Sequence, residues 1–177
     1  DGGIKAPHFV IFVRSYLEEK YGAEIIRTKG FKIITTLDWS LQRQAEAIVS
    51  QFATENINKF NAKNAGLVAI DPKTGQILAM VGSRDYFDLD HDGNVNVTLA
   101  HRQPGSAIKP LNYATAIERG LLTASTVLGD KPTCFSQIGQ ELYCPVNYDG
   151  LFHGPVQVRF ALGNSFNIPA VKTLVTN

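Results

Sequence analysis

An α+β fold, with an antiparallel strand pair packed among helices, is predicted by three features of the sequence. The first is AGLVAIDPKTGQILAMVGS (residues 65–83), two apolar β-type runs around Asp71-Pro72-Lys73-Thr74-Gly75, where proline and glycine mark the turn of a hairpin. The second is the recurrence of apolar residues at three- and four-residue spacing in segments before and after the hairpin, which is helical periodicity. The third is bulk: 177 residues, 44% hydrophobic and 19% charged, suit a globular chain with a real core.

In chain order, residues 7–22 place Phe9, Phe12, Val13, Tyr16 and Leu17 on one side of an amphipathic helix. FKIITTL (residues 31–37) is β-branched and predicts a strand. Asp38 then caps a second helix with Leu41, Ala45, Ile48 and Phe52 on one face. The polar stretch 54–64 predicts the end of that helix and a boundary, giving a linker region over 1–62 and a second region over 63–177. After the hairpin, residues 85–96 form a polar loop. Ile108, Leu111, Ala114, Ile117 and Leu121 then define an apolar helix face that stops at Gly120. Two further short helices are expected around 156–162 and 168–175, the second tolerating Pro169 because it falls early.

Several function classes are excluded or reduced. A net charge of +1 with no basic stripe gives no case for nucleic acid. The longest apolar runs are too short to span a bilayer, and without an initiator methionine or a signal-like start the chain is expected to be a segment of something longer, with any anchor upstream. No cofactor is implied, and no metal: Asp88, Asp90, Asp92 and Gly93 match four positions of a calcium loop, but its twelfth position holds Leu99 instead of glutamate. Cys134 and Cys144 lack the histidines of a zinc site and are read either as a short hairpin disulfide or as two free thiols. Direct opposition needs an odd-numbered loop such as Ile138-Gly139-Gln140; a two-residue turn at Gly139-Gln140 would pair Cys134 with Pro145 instead.

The chemistry-bearing motif is RQPGSAIKP. Ser106 stands at a helix start with Lys109 one turn on, where the positive end of the helix dipole favours a developing oxyanion. Taken alone, the pair is better explained as an N-cap serine and an ordinary helical lysine. Pro110 removes the N–H that the Ser106 carbonyl would otherwise accept, so an irregular first turn is expected. Lys73-Thr74-Gly75 matches a second motif of the same catalytic set but sits in the hairpin turn, where lysine is a solvated turn residue.

Ser165-Phe166-Asn167 follows Ser106-Ala107-Ile108-Lys109 in order. The surrounding text, TTLDWSLQRQAE, LVAIDPKTGQILAMVGSRDYFD, RQPGSAIKP and NYDGLFHGPVQVRFALGNSFNIPAV, resembles the transpeptidase region of class A (bifunctional) penicillin-binding proteins. APHFVIFVRSYLEEKYG resembles the segment joining their glycosyltransferase and transpeptidase domains. The resemblance implies the penicillin-binding serine-transpeptidase fold, an antiparallel sheet flanked by helices, incomplete here at its C-terminus. It also implies an enzyme that crosslinks peptidoglycan stem peptides through a serine acyl-enzyme and is inhibited by β-lactams. Ser106 would be the nucleophile, Lys109 its base, Ser165 a proton relay and Asn167 the residue that orients the lysine and holds the substrate amide. The site would act on the extracytoplasmic face of the bacterial cytoplasmic membrane, in a protein anchored elsewhere in its sequence.

The pattern departs from the family's usual residues at Ala107-Ile108, Phe160 and Gly163, positions that bear on packing more than chemistry. The sequence stops at Asn177, before the strand expected to carry the true K-T-G, so this chain alone is expected to have little or no activity, and either to self-associate through an exposed hairpin edge or to require the missing C-terminal portion to be soluble. A β-lactamase or D,D-carboxypeptidase, which passes the acyl group to water, and a non-enzymatic penicillin-binding sensor are the alternative readings.

Overall fold

A computed structural model of the chain describes residues 3–136 and 139–177. The chain forms two compact units, Asp1–His101 and Arg102–Asn177. The stretch that the sequence marks as a boundary, around residue 62, lies inside the first.

In the first unit, α1 (Pro7–Tyr21) and the short α2 (Ala23–Thr28) precede α3 (Trp39–Phe60). Pro7 occupies the first turn of α1, where its missing N–H costs nothing. α1 buries Phe9 against Met80, with Phe12, Val13, Leu37 and Ile77 packed around them. The Asp38 carboxylate accepts from the Leu41 N–H at 3.0 Å and so caps α3 as the sequence requires. The helix ends within the polar stretch 54–64, where Asn61 turns left-handed at φ 52°. Its buried face is Gln42, Ala45, Val49 and Ala53, so Ile48 and Phe52, expected inside, are about half exposed.

The hairpin forms as β1 (Leu67–Ile70) and β2 (Ile77–Val81), antiparallel, with Leu67 opposite Val81 and a bulge between Ala69 and Ile70. Asp71 organises the turn: its carboxylate accepts from the Lys73 N–H at 2.9 Å and the Thr74 hydroxyl at 2.8 Å, while Gly75 supplies φ +73°. Ala79 and Val81 pack on Ala45 and Val49 of α3.

The strand expected over residues 31–37 is absent. That segment is irregular and exposed as far as Thr36, with Leu37 packed beside Phe9 and Met80, and it reaches β2 through the Thr36 hydroxyl, which donates to Ile77 O, and the Asp38 N–H, which donates to Leu78 O. Gln42 takes the next place along β2: its Oε1 accepts from the Met80 N–H at 2.8 Å and its Nε2 donates to Met80 O at 3.1 Å. A side chain thereby occupies the edge that a third strand would use.

The polar loop is held by close approach. A Cβ on Gly93 would come within 2.1 Å of Asp85 O, and Gly93 O accepts from both Ser83 Oγ and His8 Nε2. The glycine that fits a calcium-loop pattern is thus explained by packing. The Asp88 carboxylate is already engaged by Arg84 and His91. Among the described residues no three His, Cys, Asp or Glu side chains are grouped so as to hold a metal ion.

The second unit contains α4 (Lys109–Glu118), β3 (Val127–Asp130), β4 (Gly154–Gln157), α5 (Val158–Gly163) and α6 (Asn167–Thr176). β3 and β4 form an antiparallel pair with Asp130 opposite Gly154. The core is Tyr113, Ala116, Leu122, Val158, Ala161 and Ala170. α4 is rotated from the expected register: it buries Lys109, Tyr113 and Ala116, while Ile108, Leu111, Ile117 and Leu121 are exposed. This face is turned inward because α6 packs against it, with Asn112 Nδ2 donating to Ala170 O at 2.8 Å. Among the described residues no helix is long and apolar enough to cross a membrane.

Candidate active site

Pro104 and Gly105, the latter at φ +53°, lead into a 3-10 turn over Gly105–Ile108 that carries Ser106. Pro110 cannot donate to the Ser106 carbonyl, and the Lys109 N–H does so instead in the tighter 3-10 pattern. That substitution is the irregular first turn expected from the sequence, and regular helix begins at Lys109. Ser106 is exposed, and its hydroxyl has no hydrogen-bond partner among the described residues. Lys109 is only 7% exposed and points back into the second unit.

The lysine ends at the joint between α5 and α6. There its Nζ donates to Ser165 O, to Ser165 Oγ at 3.0 Å and to Asn167 Oδ1 at 2.7 Å. All three partners are neutral oxygens, so no opposing charge offsets the cost of burying the ammonium, and burial holds the Lys109 amine below the ordinary lysine value of 10.5.

The local sequence explains why Ser165 presents both its oxygens. α5 closes in a Schellman motif: the Ser165 N–H donates to Leu162 O and the Phe166 N–H to Ala161 O. Phe166 then packs with Ala161 in the core, as that motif favours. The residue after the cap must be left-handed and is usually glycine, but here it is Ser165, at φ 54°. Placing a serine there costs about 1–2 kcal/mol and leaves its carbonyl and hydroxyl both bonded to Lys109.

Asn167 opens α6. Its Nδ2 donates to Val146 O at 2.6 Å, which directs Oδ1 at the lysine, and its backbone N–H donates to Asn147 Oδ1 at 2.7 Å. Asn147 and, beyond it, Asp130 were not singled out from the sequence. No pattern in the sequence marks them: Asp130 closes the run Val127-Leu128-Gly129, and only its full burial in the structure shows that it needs partners.

Cys134 and Cys144 are joined by a disulfide, with Cα atoms 4.2 Å apart. Phe135 and Tyr143 exchange two backbone hydrogen bonds inside it, so the cysteines oppose each other directly and Pro145 is not the partner of Cys134. Of the expected loop Ile138-Gly139-Gln140, Ile138 lies outside the described residues. Lys73 of the first unit lies in the exposed hairpin turn.

The family model described as penicillin binding protein transpeptidase domain matches residues 65–174, more than half of the chain. Penicillin-binding protein 2D of Bacillus subtilis is 41% identical over 173 residues, covering 96% of this chain and 24% of the relative. Penicillin-binding protein 1C of Escherichia coli is 33% identical over 148 residues, covering 84% and 18%. The chain thus spans a quarter or less of these relatives. The crystal structure of penicillin-binding protein 1A from Haemophilus influenzae superposes with a TM-score of 0.86 at 21% identity, over 99% of this chain and 40% of that one. PonA1 from Mycobacterium tuberculosis in complex with penicillin V superposes at 0.71, again at 21% identity, over 97% and 43%. The expected fold is therefore the observed one.

Proposed function

The chain belongs to the penicillin-binding protein transpeptidase domain family, and from that premise we propose that it carries the acylating serine of a peptidoglycan D,D-transpeptidase. Ser106 Oγ attacks the carbonyl carbon between two terminal D-alanines of a stem peptide while neutral Lys109 takes the hydroxyl proton. The tetrahedral intermediate collapses with cleavage of the C–N bond. D-Alanine leaves after its nitrogen receives a proton through Ser165, and the stem peptide remains as an ester on Ser106. An amine of a neighbouring strand then attacks the ester, forming the crosslink and returning the proton to Ser106. A β-lactam enters by the same attack, its ring amide standing in for the D-alanyl peptide bond.

One observation carries this reading: Lys109 Nζ bonds Ser165 Oγ and Asn167 Oδ1 across 56 and 58 residues of chain. An S-x-x-K lysine of an ordinary helix has no reason to be buried on those two side chains. The dipole at the start of α4 adds stabilisation of a developing oxyanion near Ser106. The disulfide supports an oxidising, extracytoplasmic location.

The test is covalent labelling of the natural protein that carries these residues. Fluorescent penicillin should label it, with a matching shift in intact mass, and Ser106→Ala should abolish both. Undiminished labelling of Ser106→Ala would overturn the mechanism.

A further inference from the structure

We propose that Asn147 is a positioning residue of this site, fixing Asn167 and through it the lysine; the proposal rests on the acyl-serine reading above. The reasoning begins at the start of α6. The first N–H groups of a helix need partners from outside it, and the residue before α6 is Phe166, which has no side-chain acceptor. Asn147 Oδ1 supplies the acceptor from a different segment, at 2.7 Å from the Asn167 N–H.

The Asn147 amide cannot turn over. One of its N–H bonds goes to Asp130 Oδ2 at 2.8 Å and the other to Leu151 O at 2.8 Å, so only the oxygen is left to face Asn167. Asn147 is 3% exposed and Asp130 is fully buried. Asp130 Oδ2 also accepts from the His153 backbone N–H and from Nδ1 of the same residue, each at 2.9 Å. The His153 ring stacks on Phe166, centroids 4.1 Å apart, and so braces the residue between Ser165 and Asn167 from its side.

Residues 146 and 147 therefore hold Asn167 at two points, the Val146 carbonyl on its side-chain nitrogen and the Asn147 amide on its backbone. Together they direct Asn167 Oδ1 at Lys109 Nζ. Asn147 touches none of the reacting atoms. Its effect is on where the lysine stands when Ser106 gives up its proton.

Acylation by a chromogenic cephalosporin or fluorescent penicillin, resolved into the limiting rate and the half-saturating concentration, tests this in the natural protein. Asn147→Ala should lower the limiting rate roughly 10- to 100-fold, the scale set by small misplacements of catalytic groups. The half-saturating concentration should move much less. A double-mutant cycle separates positioning from general structural support. In an Asn167→Ala background the added Asn147→Ala should cost the limiting rate almost nothing, because the residue it positions is gone. If Asn147→Ala does not fold, Asn147→Ser, which keeps a shorter acceptor, takes its place in the same cycle. An unchanged limiting rate, or a loss that is fully additive with Asn167→Ala, overturns the proposal. Labelling that survives in Ser106→Ala would instead sink the acyl-serine reading itself.

Discussion

Lys109 is bonded to three neutral oxygens and buried, which sets the sign of its pH dependence. The folded chain sheds this proton at a lower pH than an unfolded lysine, whose ordinary value is 10.5. Acylation should therefore rise with pH through a value below 10.5. Stability should rise over the same window, because there the unfolded chain binds the proton that the folded one has lost. Lys109→Ala should remove that limb of the pH–rate profile and lower the rate about 10²- to 10⁴-fold, the usual contribution of a positioned base. The proton count adds a constraint. An ammonium has three N–H bonds and all three are committed, so a lysine able to accept from Ser106 must first become neutral. Of its partners only the Ser165 hydroxyl can reverse direction and donate to the lone pair. The same serine pays in backbone strain: Ser165→Gly should raise thermal stability by about 1 kcal/mol while lowering acylation, a trade read by calorimetry and labelling on one sample.

Among the elements, the disulfide loop leads directly into the segment that holds Asn167. Cys144 precedes Val146 and Asn147, the two residues that hold Asn167, by two and three positions. Closing so short a loop stabilises the chain by roughly 2–3 kcal/mol in the chain-entropy model. Cys134→Ser with Cys144→Ser should lower stability by about that amount in denaturant titration, and thiol titration of the unreduced, denatured wild type should find no free thiol. How far these elements were legible depended on what each hides. The hairpin and the Asp38 cap were plain, because Asp71, Gly75 and Asp38 do their work within a few residues of themselves. The inward face of α4 was not: periodicity located the apolar arc of Ile108, Leu111 and Ile117, yet packing against α6 chose the arc with Tyr113 and Ala116. β3 and β4 carry Gly129, Gly154 and Pro155, which masked them as strands. Of the proposed site, the motif residues were legible from their order, whereas Asn147 and Asp130 become visible only when three-dimensional partners are counted.

On the scale of the whole molecule, the two edges of the hairpin are unequal. β2 is covered by Thr36, Asp38 and Gln42, while among the described residues β1 has no strand partner other than β2. Val68 and Ile70 on β1 are exposed, and an uncovered apolar edge recruits further strands. The isolated 177-residue chain should therefore self-associate through β1, and Ile70→Lys should shift it toward monomer in size-exclusion chromatography with light scattering. A monomeric wild type would refute this. The long sequence separation within the proposed site has a consequence during synthesis. Lys109 leaves the ribosome 56 residues ahead of Ser165, and Ser106 three residues earlier still. At about 5–20 residues per second that is roughly 3–11 s in which the nucleophile exists without its partners. A lysine not yet buried keeps its proton, so through that interval the serine stays inert, and reactivity waits until Ser165 and Asn167 have emerged and folded around Lys109. Penicillin labelling of arrested nascent chains would time that moment.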